Sequence, residues 1–193
     1  MSEQFWENRW VENNIGWDLG EVSRPIKEYI DQLSDKSIKI LIPGCGNAYE
    51  AEYLIDNGFT NIYVVEISGS AIASFKTRCP EFPVSQIIHS NFFEIEGQYD
   101  LILEQTFFCA LDPSYRENYV ERMTKLLKTD GKLIGLLFNA YFSEGPPFGG
   151  DTKLYNTIFS KVFKIEIMET AYNSTLPRQG SELFIKMIKK WKK

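Results

Sequence analysis

Apolar positions along the chain switch between two periods, and the switching predicts a regular succession of strands and helices. Short apolar runs predict buried strands, and segments with apolar residues at helical spacing predict helices. The predicted strands are residues 38–42, 62–67, 84–89, 99–104, 132–138, 163–170 and 183–188. The first predicted helix begins near Ser23 and ends near Ser34. The other predicted helices span residues 48–57, 70–78, 113–128 and 154–159, and Thr129, Asp130 and Gly131 end the helix over 113–128.

This order of elements predicts an α/β fold. Strands that alternate with helices favour a mostly parallel sheet with helices on both faces. The last two predicted strands follow each other without a helix, so we expect an antiparallel C-terminal hairpin at the sheet edge. The prediction is therefore a Rossmann-like, doubly wound sheet of seven strands. A chain of 193 residues is long enough for one sizeable core, so we expect a single domain over residues 1–193.

Composition and charge exclude several classes of function. Hydrophobic residues make up 44% and charged residues 24% of the chain, which is typical of a soluble globular protein. The net charge of −5 gives no support to nucleic-acid binding, although five of the last eight residues are lysines, which we expect to be a solvated terminus. No leader pattern and no membrane-length apolar run is found. We therefore expect a cytoplasmic, monomeric protein that binds neither nucleic acid nor membrane.

Cysteine and histidine usage argues against metal and disulfide chemistry. Cys45, Cys79 and Cys109 are odd in number and widely spaced, which predicts reduced thiols rather than a zinc site or a disulfide framework. His89 is the only histidine. A histidine-based triad and a multi-histidine metal site are therefore not expected.

A glycine turn after the first predicted strand carries the first chemical signal. The apolar run ends in Pro43, Gly44, Cys45, Gly46 and Asn47. The second predicted strand then leads to Glu66, twenty residues after Gly46. A strand, a glycine turn, a helix and a second strand ending in a carboxylate are typical of a nucleotide-binding half, in which the carboxylate accepts hydrogen bonds from ribose hydroxyls. The pattern predicts an adenosine site.

The rest of the turn indicates which adenosine cofactor is bound. A dinucleotide fingerprint requires a third glycine, and that position is Tyr49. The G-K-[ST] ending of a triphosphate loop is also missing. A cofactor that carries adenosine without phosphate fits both observations, and S-adenosylmethionine is such a cofactor.

Five further segments make the chain resemble a known family. They are F-W-E-N-R-W with G-W-D (5–18), I-P-G-C-G-N (42–47), V-V-E-I-S (64–68), Y-D-L-I-L-E-Q-T-F-F-C-A-L-D-P (99–113) and G-P-P-F (145–148). With these motifs the chain resembles the thiopurine and thiol/halide methyltransferases that use S-adenosylmethionine and release S-adenosylhomocysteine. The T-F-F-C-A and G-P-P-F segments are more similar to the thiol and halide branch.

The resemblance implies a set of cofactor-binding residues. The spacing W-x3-W-x6-W is kept, so residues 1–22 are expected to form an arm that closes over the cofactor. The implied residues are Trp6, Trp10 and Trp17 in that arm, Gly44 in the turn, Glu66 on the ribose, Asn91 and Phe92 near the adenine, and Gln105 at the rim of the methyl-transfer cavity. Two residues depart from the family pattern, because Asn91 stands where the family has an acidic residue and Gln105 replaces an aromatic one.

The acceptor is expected to be a small soft nucleophile, such as a thiol, sulfide or halide-type anion, methylated by in-line displacement. A thiolate or halide needs no general base, and for a neutral thiol Glu104, Asp112 and Tyr141 are candidates by location. Tyr141 is expected to line the acceptor pocket. Phe107 and Phe108 either line that pocket as well or belong to the core. The alternatives are a thiopurine-like or other small acceptor, and a catalytically silent S-adenosylmethionine-binding module.

Overall fold

The computed structural model describes residues 2–190, and in this part of the chain seven strands form one sheet in the order β3-β2-β1-β4-β5-β7-β6. The strands are β1 (Ile40–Pro43), β2 (Ile62–Glu66), β3 (Ile87–His89), β4 (Tyr99–Gln105), β5 (Leu127–Phe138), β6 (Phe163–Thr170) and β7 (Glu182–Lys189). β1 to β5 pair in parallel, whereas β7 runs antiparallel to both β5 and β6. The predicted doubly wound sheet with an antiparallel edge hairpin is confirmed.

Six α-helices connect or precede these strands within residues 2–190. They are α1 (Glu3–Val11), α2 (Arg24–Asp31), α3 (Tyr49–Asp56), α4 (Gly69–Arg78), α5 (Arg116–Leu126) and α6 (Thr152–Phe159). Side chains cap several of them: Ser68 Oγ accepts from the Ala71 N–H at the start of α4, and the Asp151 carboxylate accepts from the Leu154 N–H at the start of α6. None of the described helices is long and apolar enough to cross a bilayer.

The two faces of the sheet bury separate apolar clusters. Successive residues of a strand point to opposite faces, so Leu41 packs with α5 and α6 while Ile40 and Ile42 pack with α2, α3 and α4. The connections reverse direction between β1 and β4, which lie side by side at the centre of the sheet. In open α/β sheets, ligands bind outside the carboxyl ends of the strands at such a reversal. The fold therefore points to the residues that follow β1, β2 and β4.

The boundary between α5 and β5 differs from the prediction. The helix predicted over residues 113–128 begins with a 3-10 turn, Pro113–Tyr115, and ends at Leu126, and β5 starts at once with Leu127. Leu127 faces Tyr99 while Lys132 faces Leu101, so the intervening residues bulge out of the ladder, with Asp130 at φ +58°. Thr129, Asp130 and Gly131 thus lie inside a strand rather than ending a helix, because pairing with β4 overrides the helical pattern.

The strand predicted over residues 84–89 is also shorter than expected. Its first half is a 3-10 turn, Val84–Gln86, and only Ile87–His89 pairs with β2. This strand lies at the edge of the sheet, where a short strand limits exposed pairing groups.

Candidate functional site

A cavity of about 550 Å³ lies outside the carboxyl ends of the central strands. Its volume is in the range of roughly 300–1,000 Å³ found for small-molecule sites. One side, which we call the strand end, is lined by Val65, Glu66, Ile67, Ser90, Asn91 and Phe92. The other side, the loop end, is lined by Cys109, Phe138, Phe142, Pro146, Pro147, Pro177, Arg178 and Ser181. The two ends are separated because β1 and β4 stand between β2 and β5 in the sheet.

The glycine turn after β1 forms part of the cavity wall. Gly44 and Gly46 have φ values of +57° and +52°, which favour glycine. A Cβ added at Gly44 would overlap the ring of Phe107, and one added at Gly46 would lie 3.2 Å from the Trp10 ring. The turn is therefore fixed between the loop after β4 and helix α1, with its backbone exposed to the cavity.

Glu66 lies at the end of β2 and lines the strand end of the cavity. It is 7% exposed. Its Oε1 accepts from the N–H groups of Ile67 (2.8 Å) and Ser68 (3.0 Å), and its Oε2 accepts from the Gly46 N–H (2.9 Å). A carboxylate offers about four acceptor positions, so one remains for a ligand. Burial raises the pKa of Glu66, and the three backbone donors oppose that rise.

Three tryptophans cover the cavity from the N-terminal segment. Trp6 and Trp10 lie one turn apart on α1, so they share a face, and Trp17 follows in the next loop. The rings of Trp6 and Trp17 meet edge to face at 5.6 Å between centroids, and those of Trp10 and Trp17 at 6.3 Å. Helix α1 begins after Ser2, whose Oγ accepts from the Phe5 N–H at 3.2 Å. The predicted spacing thus places three aromatic faces against one cavity.

Glu7 holds α1 on the body of the fold. Its carboxylate accepts from Ser68 Oγ (2.7 Å) and from the Ser70 N–H (3.1 Å), and also from Ser70 Oγ. These donors lie at the N-terminus of α4, where an anion is favoured. The hydrogen bonds, with Ser68 as the largest cause, hold the pKa of Glu7 below its usual range. The cover formed by α1 is therefore attached two residues beyond Glu66.

The remaining predicted cofactor residues divide between two cavities. Asn91 and Phe92 line the main one. The Asn91 Oδ1 already accepts from the Phe93 N–H at 3.0 Å, and its Nδ2 donates to Glu94 at 3.3 Å. Gln105 lines a smaller neighbouring cavity of about 60 Å³, and its buried Oε1 has no hydrogen-bond partner among residues 2–190. The two cavities share Gly44 and Trp10 as walls.

Some residues predicted for the acceptor pocket lie elsewhere. Phe108 is 1% exposed and packs on Tyr119 in the core, whereas Phe107 lines the cavity. The 3-10 turn Phe108–Ala110 begins at the second of these residues, and both rings contact Tyr119. Tyr141 is 71% exposed, does not line the cavity, and donates to Asp151 at 3.0 Å.

The three candidate bases are also separated by the structure. Glu104 is buried in the core and does not line the cavity, and Tyr141 lies outside it. Asp112 does line the cavity, and it accepts from the Ser114 N–H at 2.9 Å and Ser114 Oγ at 2.6 Å. Of the three, Asp112 is therefore the carboxylate that a cavity ligand can reach.

Sequence reasoning missed Arg178, which lines the loop end of the cavity. It is 8% exposed, forms an ion pair with Glu182 at 3.2 Å, and donates to the Trp17 carbonyl at 2.6 Å. In the sequence, the segment between β6 and β7 that contains Arg178 is typical of an ordinary polar connection. The placement of Arg178 depends on the C-terminal hairpin, which brings residues 176–181 to the end of β5. No local motif in the sequence marks this path.

The arrangement can hold a nucleoside by its ribose and cover it with aromatic rings. The strand end offers a buried carboxylate, a glycine turn and the side chains of Asn91 and Phe92. The loop end offers apolar walls and the guanidinium of Arg178, and Arg9 on α1 also lines the cavity. Within residues 2–190 no cluster of three or more histidine, cysteine, aspartate or glutamate side chains could hold a metal ion.

Comparisons with known sequences agree with this geometry. The family model for thiopurine S-methyltransferase matches residues 1–191. A probable thiol methyltransferase 2 of Arabidopsis thaliana is 29% identical over 97% of this chain and 84% of its own length. Thiocyanate methyltransferase 1 of the same plant is 28% identical over 100% of this chain and 86% of its own length. A thiopurine S-methyltransferase of Acinetobacter baylyi is 24% identical, covering 88% of each chain.

Solved structures share the fold. The Burkholderia thailandensis 1,6-didemethyltoxoflavin-N1-methyltransferase, with bound S-adenosylhomocysteine, superposes with a TM-score of 0.76 at 13% identity, over 98% of this chain and 87% of its own. A TehB-like S-adenosylmethionine-dependent methyltransferase from Corynebacterium glutamicum superposes with a TM-score of 0.69 at 18% identity, over 98% of both chains. At these identities the likeness concerns the fold.

Proposed function

The chain belongs to the thiopurine S-methyltransferase family and is an S-adenosylmethionine-dependent methyltransferase, and from this premise we propose that it methylates a small soft nucleophile, a thiol, sulfide or halide-type anion, by in-line displacement. The observation that carries the proposal is the loop end of the cavity. Its walls are the apolar side chains of Phe138, Phe142, Pro146 and Pro147, with the guanidinium of Arg178 beside them. Apolar walls suit a polarizable nucleophile, and Arg178, whose charge is paired with Glu182, contributes N–H donors rather than net positive charge.

The residues of the strand end fit S-adenosylmethionine. When bound, this cofactor supplies an electrophilic methyl group on a sulfonium. Glu66 would accept a ribose hydroxyl at its remaining position, and the backbone of Gly44 and Gly46 lines the cavity beside it. Asn91 and Phe92 would lie against the adenine. Gln105, assigned to the rim of the methyl-transfer cavity, lines the smaller cavity, and among the described residues its buried Oε1 has no hydrogen-bond partner.

The N-terminal tryptophans would act as a lid over the cofactor. Aromatic faces attract a cation by about 0.5–2 kcal/mol, and the rings of Trp6, Trp10 and Trp17 all border the cavity. Covering the site also excludes water, which strengthens electrostatic interactions inside. We therefore assign residues 1–22 the role of a cover, which is attached through Glu7 to the start of α4.

Transfer to a thiolate or halide requires position rather than a general base. The protein's part is to hold the nucleophile in line with the methyl group in a dry cavity. For an acceptor that arrives as a neutral thiol, Asp112 is the candidate base, since it lines the cavity while Glu104 and Tyr141 do not.

A larger acceptor is favoured by one observation. Phe142 lines the loop end yet is 42% exposed, so this end of the cavity reaches solvent. A thiopurine-like heteroaromatic thiol would fit an open loop end better than a sealed one.

A product screen tests these acceptors. Purified protein is incubated with S-adenosylmethionine labelled in its methyl group and with sulfide, small alkyl thiols, iodide, thiocyanate or a thiopurine, and the labelled product is quantified. We expect turnover of a small thiol or anion to exceed that of the thiopurine. Faster turnover of the thiopurine would favour the second acceptor. Tight cofactor binding by calorimetry with no turnover of any acceptor would instead identify a silent binding module.

A further inference from the structure

Glu104 is a fully buried carboxylate next to the cavity. It lies on β4, is 0% exposed, and accepts three hydrogen bonds. Its Oε1 accepts from the N–H groups of Phe107 (2.8 Å) and Phe108 (2.9 Å), and its Oε2 accepts from Tyr119 Oη (2.6 Å). Within residues 2–190, the groups that act on its ionisation are these three donors. A buried carboxylate without a cation partner is costly for stability, so its placement calls for another explanation.

The sheet makes room for this side chain. Glu104 faces Gly135 in the parallel ladder between β4 and β5. A Cβ added at Gly135 would overlap the Cβ and the carbonyl oxygen of Glu104. A glycine inside a strand weakens the strand unless something packs closely against it. The close approach of Glu104 is that packing.

The loop held by Glu104 connects the two ends of the cavity. Thr106 begins it at φ +59°, a conformation that non-glycine residues avoid and that surrounding contacts must maintain. Phe107 then lies on Gly44, so that the glycine turn and this loop are in direct contact. The Cys109 carbonyl accepts from the Phe148 N–H at 2.6 Å, which attaches the loop to the segment carrying Pro146 and Pro147.

Because methyl transfer is in line, small displacements of either side of the cavity matter. A misplacement of about 1 Å can cost about 100-fold in rate. Residues 106–109 touch the turn on the cofactor side and the proline segment on the acceptor side. A single carboxylate therefore accepts hydrogen bonds from the loop that touches both walls.

We propose that Glu104 is a positioning residue for methyl transfer, which fixes residues 106–109 between the glycine turn and the acceptor walls. The inference rests on the proposed function, because it assigns Glu104 a part in that reaction. Glu104 touches neither cofactor nor acceptor, and it acts through Phe107 and Cys109. The titratable groups that face it are Tyr119 on α5 and Cys109 in the loop.

The ionisation of Glu104 supports this role and supplies a readout. Burial raises its pKa to about 7, while the Tyr119 hydroxyl and the two backbone N–H groups lower it. A proton on Oε2 would turn an acceptor into a donor, so the Tyr119 hydroxyl would have to accept instead. The geometry of the loop is then linked to pH near neutrality.

Three variants test the proposal. E104M removes all three acceptor interactions at similar volume, E104Q keeps an oxygen for the two N–H groups, and Y119F removes the partner of Oε2. The control is Y99F, the same change at a buried tyrosine at the opposite end of β4. Turnover is measured with the fastest acceptor of the screen, cofactor binding by calorimetry, and exchange of the Phe107 and Phe108 amides by hydrogen exchange.

We expect E104M to lower kcat about 10- to 100-fold, with the Kd for S-adenosylmethionine changed less than about 3-fold, and to speed exchange of both amides at least about 10-fold. E104Q should keep kcat within about 3-fold and protect both amides. The ratio of wild-type to E104Q kcat should fall as the pH drops through 7. In the pH profile of Y119F, kcat should fall at a higher pH than in the wild type, because the hydroxyl that lowers the pKa of Glu104 is missing.

Two results would overturn the proposal. One is unchanged kcat or unchanged amide exchange in E104M. The other is a Y119F pH profile identical to that of Y99F, which would leave Glu104 a purely structural residue; if E104M does not fold, E104Q and Y119F still decide through this profile. Failure of the wild-type protein to methylate any acceptor would instead reject the proposed function.

Discussion

Two parallel strands of the sheet, β2 and β4, carry buried carboxylates that bind the backbone in the same way. Glu66 Oε1 accepts from the next two N–H groups, and Glu104 Oε1 accepts from the N–H groups three and four residues on. The second oxygen distinguishes them. In Glu66 it accepts from Gly46 and borders the cavity, whereas in Glu104 it accepts from Tyr119 inside the core.

This difference shows that a carboxylate at a strand end does not by itself mark a ligand site. The neighbouring element decides its role. A glycine turn beside Glu66 leaves an acceptor position open to a ligand, while α5 closes the corresponding position of Glu104. One carboxylate is thus available for binding, and the other organises the loop that completes the binding cavity.

The largest expected effect is on the pH dependence of stability. The pKa of Glu104 is raised from 4.5 to about 7 in the folded state, so the folded protein binds this proton more tightly than the unfolded chain does. Protonation of Glu104 therefore stabilises the fold at low pH, and this stabilisation is lost as the pH rises from 4.5 to 7. The free energy of unfolding of E104Q relative to wild type should therefore rise by about 3 kcal/mol between pH 4.5 and pH 8. Urea unfolding at several pH values measures this difference. The contributions of the other titratable groups cancel because both proteins contain them.

A flat difference across that pH range would show that the pKa of Glu104 is the same in the folded and unfolded states, so that burial does not raise it. The same series on E66Q sharpens the comparison, because burial raises the pKa of Glu66 as well, and its difference should rise in the same direction.

The second prediction concerns cofactor binding. E66Q should raise the Kd for S-adenosylmethionine about 30-fold, or about 2 kcal/mol, because a charged acceptor is lost and the new amide faces the Gly46 N–H, donor against donor. E104Q is the matched control and should leave the Kd within about 3-fold. Calorimetry measures both. Equal effects of the two substitutions would erase the distinction between a binding carboxylate and a positioning one.

The sequence predicted Glu66 and its surroundings because the signal is local. A strand, a glycine turn and a carboxylate at fixed spacing predict that Glu66 lies beside the turn, as it does, and the order of strands and helices predicts the sheet. Residues 127–131 were mispredicted because the apolar run through Leu126 and Leu127 suits a helix or a strand equally. Pairing of Leu127 with Tyr99 decided the outcome.

The role of Glu104 could not be predicted in the same way. Its partner Tyr119 is fifteen residues away on α5, and the space for its side chain comes from Gly135 on another strand. Phe107 and Phe108 are identical in type and adjacent, so no periodic signal indicates that the first lines the cavity while the second is buried. Arg178 reaches the cavity through the path of the last hairpin. All these depend on tertiary contacts rather than on spacing.

The third prediction addresses Gly44, where the two carboxylate regions meet. G44A should raise the Kd for S-adenosylmethionine about 10-fold, because the new Cβ overlaps Phe107 and because φ at this position is +57°. G58A is the control, since Gly58 has φ +83° but a Cβ added there would have no atom of the described residues within 4 Å, apart from its chain neighbours. It carries the backbone strain without the overlap. Binding by G44A that equals wild type would show that the turn and the Phe107 loop move independently.

The smallest expected effect is that of the tryptophan cover, which touches the Glu66 region and not Glu104. Removing two rings in W6A/W10A should raise the Kd for S-adenosylmethionine about 5-fold, since an aromatic face contributes about 0.5–2 kcal/mol to holding a cation. V11A is the control on the same helix, because Val11 is 69% exposed and does not line the cavity.

The same pair of variants separates a lid from simple packing. If the rings attract the sulfonium, W6A/W10A should weaken binding of the charged S-adenosylmethionine more than that of the neutral-sulfur product S-adenosylhomocysteine. An equal loss for both ligands would leave the tryptophans as apolar cover alone. No loss for either would show that the cofactor side is completed by Glu66 and the glycine turn without α1.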